Sequence, residues 1–133
     1  MVIVSSCRVI YGDTDNMGIV YYANYFRFFE IGRNEYMRAR GLTYREIEAK
    51  GFSLPVSETW CKYHKPARYD DPVRIETRVV RARGARVTFG YELRDETGVL
   101  LAEGTTEHGV LGQKGRPVRL PPDVLEALAP EVT

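Results

Sequence analysis

Histidine, cysteine and tryptophan are scarce in this 133-residue chain, which has two, two and one of them. The two histidines, His64 and His108, lie far apart, and the two cysteines, Cys7 and Cys61, have no metal-ligand spacing, so no metal cluster is expected. Both thiols are expected to be reduced in a cytoplasmic protein, with a Cys7–Cys61 bridge as the alternative. There is no Gly-x-Ser-x-Gly nucleophile motif, and Lys114-Gly115 lacks the context of a phosphate-binding loop. Excess charge of one sign is also missing: a net charge of +1 gives no support to nucleic-acid binding. The N-terminal Met-Val-Ile-Val-Ser-Ser-Cys has neither a basic start nor a long apolar run, so no signal peptide is expected. Nothing downstream is long and apolar enough to span a bilayer. Repeats and low-complexity linkers are absent too.

What is present is a chain that is 44% hydrophobic and 28% charged, a balance that favours a folded globular protein over disorder. One domain over residues 1–133 is expected, since the chain is too short for two ordinary cores. Ile3 to Tyr11 is β-branched and loosely alternating, which predicts a first strand. From Tyr22 to Arg40 the apolar residues Tyr22, Tyr25, Phe26, Phe29, Tyr36 and Met37 recur at helical spacing, with Gly41 as the C-terminal cap. Gly32 lies between Phe29 and Tyr36, where a missing side chain would let helix and sheet approach closely. Thr43-Tyr-Arg-Glu46 has capping-box spacing and opens a second, short helix ending at Gly51. Period two then takes over: strands are predicted over Val56 to Lys65, from Val73, from Val87 to Arg94 and over Val99 to Leu111, with a turn at Asp95–Gly98. The tail is predicted to be loop followed by a helix over Val124 to Leu128. One helix cannot cover both faces of so large a sheet. The economical packing is an α+β domain with the sheet laid around the aromatic helix, its remaining face or edge buried by a second copy of the chain.

The stretch Tyr11-Gly-Asp-Thr-Asp-Asn-Met-Gly-Ile-Val-Tyr-Tyr joins the first strand to the long helix and puts Asp13 and Asp15 just ahead of the helix start. A helix start offers unpaired N–H groups and the positive end of a dipole, which polarise a carbonyl held beside an ionised carboxylate. Read on spacing alone, both aspartates could equally be loop caps. Neither histidine lies near this loop in sequence, so no Ser-His-Asp arrangement is offered.

Tyr11 to Glu30 resembles the signature of the hotdog-fold acyl-CoA thioesterases of the 4-hydroxybenzoyl-CoA thioesterase type, including those associated with the Tol–Pal system. The turn Lys65-Pro-Ala-Arg-Tyr-Asp-Asp-Pro72 and the paired strands also fall where that family has them, so the likeness covers nearly the whole chain. The resemblance implies a hotdog fold, an antiparallel sheet wrapped around one central helix, and hydrolysis of an acyl-CoA without a cofactor. By position, Asp15 resembles the catalytic carboxylate, as nucleophile or as base for water, and the backbone N–H of Tyr22 resembles the donor to the thioester carbonyl. Asp13 is given a structural part, Asn24 and Glu30 anchor loop and helix, and Gly18 and Val20 are expected to bound the substrate site. Tyr22 departs from relatives that carry His there, which leaves the backbone donor intact. Lys62, Lys65, Arg81, Arg83 and Arg86 are the basic residues available to CoA phosphates, across a subunit boundary of a homodimer or homotetramer. Two other readings remain: a hotdog enoyl-thioester hydratase or dehydratase, and a non-catalytic acyl-thioester-binding module.

Overall fold

The computed structural model describes residues 1–129. Strand β1 spans Ile3–Arg8 and stops short of Tyr11, because the Asp13 carboxylate accepts the Ile10 N–H and closes a single 3-10 turn over Tyr11–Asp13. A second 3-10 turn, Tyr22–Asn24, leads into helix α1, Tyr25–Ala39. The helical run therefore starts at Tyr22 as the apolar spacing predicts, but its first turn is tightened: Asn24 N–H bonds the Tyr21 carbonyl and the Asn24 side chain is drawn off to the Asp13 carbonyl. At the other end Leu42 N–H reaches back to the Met37 carbonyl around Gly41, a capping bond that satisfies an orphan acceptor. Helix α2, Tyr44–Ala49, is capped by the Thr43 hydroxyl, which accepts the Glu46 N–H.

Four more strands follow: β2 (Val56–Tyr63), β3 (Pro72–Arg83), β4 (Arg86–Arg94) and β5 (Leu100–Gly109). Strand β2 ends before Lys65 because the His64 and Lys65 N–H groups converge on the one Leu101 carbonyl, turning the chain off the ladder. Strand β5 ends before Leu111 for a similar reason, since Val110 and Leu111 bond Ala85 and Ser53. The last helix, α3, runs from Pro122 to Leu128, two residues earlier than its apolar residues predict because a proline at the first position starts a helix well. All strands are antiparallel, in the order β1-β3-β4-β5-β2.

The inner face of this sheet wraps α1, the hotdog fold that the resemblance implies. Phe28, Phe29, Tyr36 and Met37 are buried along the helix, Phe29 stacks flat on Tyr91 of β4 at 4.4 Å, and Tyr36 meets Phe89 edge-on. Gly32 makes this approach possible: a Cβ there would lie 2.4 Å from Thr77 Oγ1 and 2.7 Å from Ile75 Cγ2, both on β3. The C-terminal end of α1 is tied to α3 by the Tyr36 hydroxyl, which donates to the Leu128 carbonyl, and by Arg40, which donates to Ala127. Cys7 and Cys61 are free thiols, so the alternative of a bridge between them does not hold. One strand is left uncovered. Strand β2 is a sheet edge, exposed along its length apart from the half-buried Cys61, with Trp60 50% accessible.

Beneath the helix a chain of polar groups is buried on the inner face. The His108 imidazole lies between Thr106 Oγ1 at 2.8 Å and the Leu54 carbonyl at 2.8 Å, and Thr106 in turn lies 2.6 Å from the Tyr91 hydroxyl. Burial, chiefly, lowers the pKa of His108 below its ordinary value of 6.5. The unfolded chain therefore binds a proton at this residue before the folded chain does, so the neutral histidine stabilises the fold above that value and the contribution fades as pH falls through it. The thermal midpoint is expected to drop between about pH 7.5 and 5.5, and to drop less in His108→Gln, as followed by circular dichroism melts. Equal slopes in the two proteins would remove His108 as the source.

Candidate active site

The loop between β1 and α1 is stitched at three levels. Thr14 bridges Val20, Ile19 bridges Arg68 in the turn before β3, and Val20 N–H donates to the Ala67 carbonyl. Within it Asp15 opens a tight turn: its own N–H bonds the Ile19 carbonyl, its carbonyl accepts the Gly18 N–H, and Oδ1 accepts the Met17 N–H at 2.9 Å. Gly18 adopts φ +79, a conformation that a side chain would strain. These bonds leave the half-exposed Asp15 carboxylate with its second oxygen free of hydrogen bonds to the described residues.

Asp15 lines a cleft of about 380 Å³ together with Val20, Tyr22, Tyr25, Tyr63 and Lys65 among others, mostly apolar in surface. Tyr22 stands in the first turn of the helical run, where N–H groups have no intrahelical acceptor. Asp15 and Tyr22, at the start of the helical run, thus line one cavity. The helix end is held from the sheet side as well. Tyr63 of β2 donates its hydroxyl to the Tyr22 carbonyl at 2.9 Å and sets its ring edge against Tyr25. Burial, with help from the neighbouring Cys61, pushes the Tyr63 phenol up to about 12, so it stays a neutral donor.

Asp13 has a different part. It is 3% exposed and accepts from Ile10 N–H and from both the Nε (2.9 Å) and Nη2 (2.5 Å) of Arg27, a two-pronged ion pair between loop and helix. Its carbonyl accepts Tyr21 N–H at 2.8 Å and Asn24 Nδ2 at 2.8 Å. One residue therefore bolts the loop to the helix on both sides of the Tyr22 amide. The structural reading of Asp13 and the anchoring role of Asn24 agree with the sequence expectations; Glu30 does not, since its side chain is exposed and lines a separate pocket. Arg27 went unnoticed in the sequence, although a guanidinium inside the first turns of an otherwise aromatic helix is a signal that a buried carboxylate waits nearby.

The basic residues divide. Lys65 lines the cleft. Lys62 lies opposite Glu103 on the outward side of β2. His64 joins it there: its ring is 2.8 Å from Glu103, which holds the imidazole on the outer face although the residue borders the cleft. Arg83 and Arg86 face each other at the β3-β4 hairpin, with Arg86 paired to Glu107. Seven residues of β4 separate Arg86 from the register position level with Tyr63, about 24 Å along the strand. Within one chain the cleft and that hairpin are not brought together. Among the described residues no cluster of His, Cys, Asp and Glu could hold a metal ion, and no helix is long and apolar enough to cross a membrane.

Comparison with known proteins gives the family. The model of the thioesterase-like superfamily matches residues 9–128. The acyl-CoA thioesterase YbgC of Haemophilus influenzae is 34% identical over 122 residues, covering 90% of this chain and 89% of that one. The acyl-CoA thioester hydrolase YbgC of Escherichia coli O157:H7 is 33% identical over 96 residues, 72% of each chain. Among solved structures, a hypothetical protein from Thermus thermophilus superposes with a TM-score of 0.90 at 35% identity, covering 95% of this chain and 96% of that one. This chain, with its carboxylate loop, wrapped helix and matching extent, belongs to the thioesterase-like superfamily.

Proposed function

We propose that this protein is an acyl-CoA thioesterase, in which Asp15 attacks the thioester carbonyl or activates the water that does, while the Tyr22 N–H receives the carbonyl oxygen. The observation that carries this reading is that Asp15, with one carboxylate oxygen not hydrogen-bonded to the described residues, and Tyr22 of the helical run line the same cleft. The relatives named for acyl-CoA thioester hydrolysis support the substrate class. In the nucleophilic route the carboxylate adds to the carbonyl, CoA leaves as thiolate, and water cleaves the mixed anhydride. In the base route Asp15 takes a proton from water, whose hydroxide adds to the same carbon. Both pass through an oxyanion, and a preorganised N–H donor stabilises that charge by about 3 kcal/mol. The net change is the same: acyl-CoA and water give the free acid and CoA. No step needs a cofactor.

The active form is a homodimer on this reading. Strand β2 presents an unpaired, exposed edge, and pairing it with its own two-fold copy would remove that edge. Such antiparallel pairing sets the Tyr63 end of one β2 beside the Val56 end of the other. Because Val56 is level with His108 and Val87, it also brings the Arg83 and Arg86 hairpin toward the cleft of the other copy, where CoA phosphates would find it. Free thiols at Cys7 and Cys61 suit a reducing cytoplasm. Lys65 and Val20 line the cleft, Gly18 acts through the turn that sets Asp15, and Lys62 stays on the outer face of β2.

A panel of acyl-CoAs assayed with a thiol-reactive dye is expected to release free CoA, and sizing in solution to give a dimer or a tetramer. Binding of the substrates without thiol release would identify a non-catalytic module. Hydration of an enoyl-CoA in place of hydrolysis would identify a hydratase.

A further inference from the structure

A second cavity, of about 260 Å³, opens between α1, the start of α2 and the segment leading into β2. Its polar lining is Glu30, Arg33 and Asn34 of α1, Tyr44 of α2 and His108 of β5. None of these takes part in the chemistry assigned to Asp15. The buried polar chain described above ends here, and its direction can be worked out. The Leu54 carbonyl can only accept, so His108 Nδ1 carries the hydrogen. In the neutral ring, which burial favours, Nε2 then accepts the Thr106 hydroxyl, and the Thr106 oxygen accepts the Tyr91 hydroxyl. Tyr91 is left with a lone pair facing Arg33, whose guanidinium interacts with it.

Arg33 is thus steadied from beneath by a hydroxyl, yet among the described residues no carboxylate lies within ion-pair distance of it. A guanidinium has five N–H donors in a planar fork that matches a carboxylate, and one hydroxyl underneath cannot occupy them. Two further donors stand nearby. The Tyr44 oxygen accepts the Leu54 N–H at 3.1 Å, which leaves its own O–H to donate, and the Asn34 amide borders the same space. Glu30 is exposed, so its carboxylate can point to water and need not fill the site.

We propose that this cavity is a carboxylate-binding site, with the Arg33 guanidinium as the principal contact and Tyr44 and Asn34 as supporting donors. Two sources have this chemistry. One is the free end of an acyl group that itself ends in a carboxylate, bound in the cleft of a second copy; the two-fold β2 pairing proposed above sets the Val56 wall of this cavity beside that cleft. The other is a free small organic acid. The first source rests on the thioesterase reading, the second does not.

The test follows the hydrogen-bonded His108 ring N–H of the full-length protein by NMR, a readout independent of turnover. Glutarate, glutaryl-CoA and, as the methyl-ended control of equal carbon number, pentanoyl-CoA are titrated in turn. Saturable shifts with glutarate or glutaryl-CoA and none with pentanoyl-CoA are expected. Arg33→Met should weaken the binding by about tenfold or more, the scale of one lost charge-assisted contact. Asn34→Ala, on a half-buried position, is expected to weaken it less and covers the case in which Arg33→Met does not fold. A kcat/KM for glutaryl-CoA well above that for pentanoyl-CoA, levelled in Arg33→Met, assigns the acyl group as the source. Saturation by glutarate without that preference assigns a free acid. The proposal is overturned by the absence of a saturable shift with both carboxylate probes up to about 50 mM, or by shifts that persist unchanged in both variants. Failure to hydrolyse any acyl-CoA would sink the thioesterase reading alone, because the glutarate titration stands without it.

Discussion

Asp15→Asn is expected to fold like the parent protein and to lose acyl-CoA turnover by about three orders of magnitude, the range over which a positioned acid, base or nucleophile contributes. The structure explains why the two effects separate. Asparagine keeps the Oδ1 that accepts the Met17 N–H, so the turn, with its bonds from Asp15 N–H to Ile19 and from Gly18 N–H to Asp15, survives. What disappears is the negative charge of a carboxylate that lines the cleft. Thermal melts should overlay, KM should move little, and kcat should collapse in the thiol-release assay. Labelling in the parent enzyme reveals the nucleophilic route where its anhydride opens at the aspartyl carbon. A single turnover in water labelled with oxygen-18, with enzyme in excess, leaves one labelled oxygen on Asp15 only where an anhydride to that residue forms and is opened by water at the aspartyl carbon. Label confined to the product acid fits direct attack by water or opening at the acyl carbon. Retention of a tenth or more of the activity in Asp15→Asn would remove this residue from the chemistry.

How much of this could be read beforehand depends on the range of the interactions. The aromatic stripe of α1, the capping box at Thr43 and the period-two strands are local patterns, and each produced its element with ends displaced by a few residues. Those displacements have long-range causes. Strand β1 stops early because Asp13 captures Ile10 N–H, and β2 stops early because Leu101, far along the chain, takes two N–H groups at once. The position of Gly32 between Phe29 and Tyr36 was legible; that its missing Cβ makes room for Thr77 and Ile75 was not, since those residues arrive from β3. In the site, Asp15 and the Tyr22 amide were legible because they are seven residues apart on one loop. Tyr63, which steadies the Tyr22 carbonyl, comes from a strand 41 residues away and gave no local sign. The basic residues show the same limit in reverse. Charge alone marked Lys62, Arg83 and Arg86, but strand alternation and sheet register place them on the outer face of β2 or at the distant hairpin.

The second large effect concerns the clamp between Asp13 and Arg27. Arg27→Met keeps the length and apolar stem of the side chain but leaves a carboxylate that is 3% exposed with the Ile10 N–H as its only remaining hydrogen-bond donor among the described residues. Removing one member of a buried pair typically destabilises by about 3 kcal/mol, which for a domain of this size is a fall of about 10 °C in thermal midpoint. Arg27 is itself partly accessible, its side chain 38% exposed, so the reverse change, Asp13→Asn, leaves a cation that water can still reach and is expected to be milder. The double variant Asp13→Asn, Arg27→Met removes both charges and should recover much of the lost stability, since neither group is then stranded. Activity should not recover with it. The clamp fixes the loop bearing Asp15 against the turn bearing the Tyr22 amide, and a misplacement of about 1 Å between reacting groups can lower a rate by about a hundredfold. A stable double variant with a low kcat and a nearly unchanged KM would therefore mark Asp13 and Arg27 as positioning residues. Full turnover in that variant would reduce the clamp to a contribution to folding alone, leaving the bonds from Tyr21 N–H and Asn24 to the Asp13 carbonyl as sufficient to hold the loop in place.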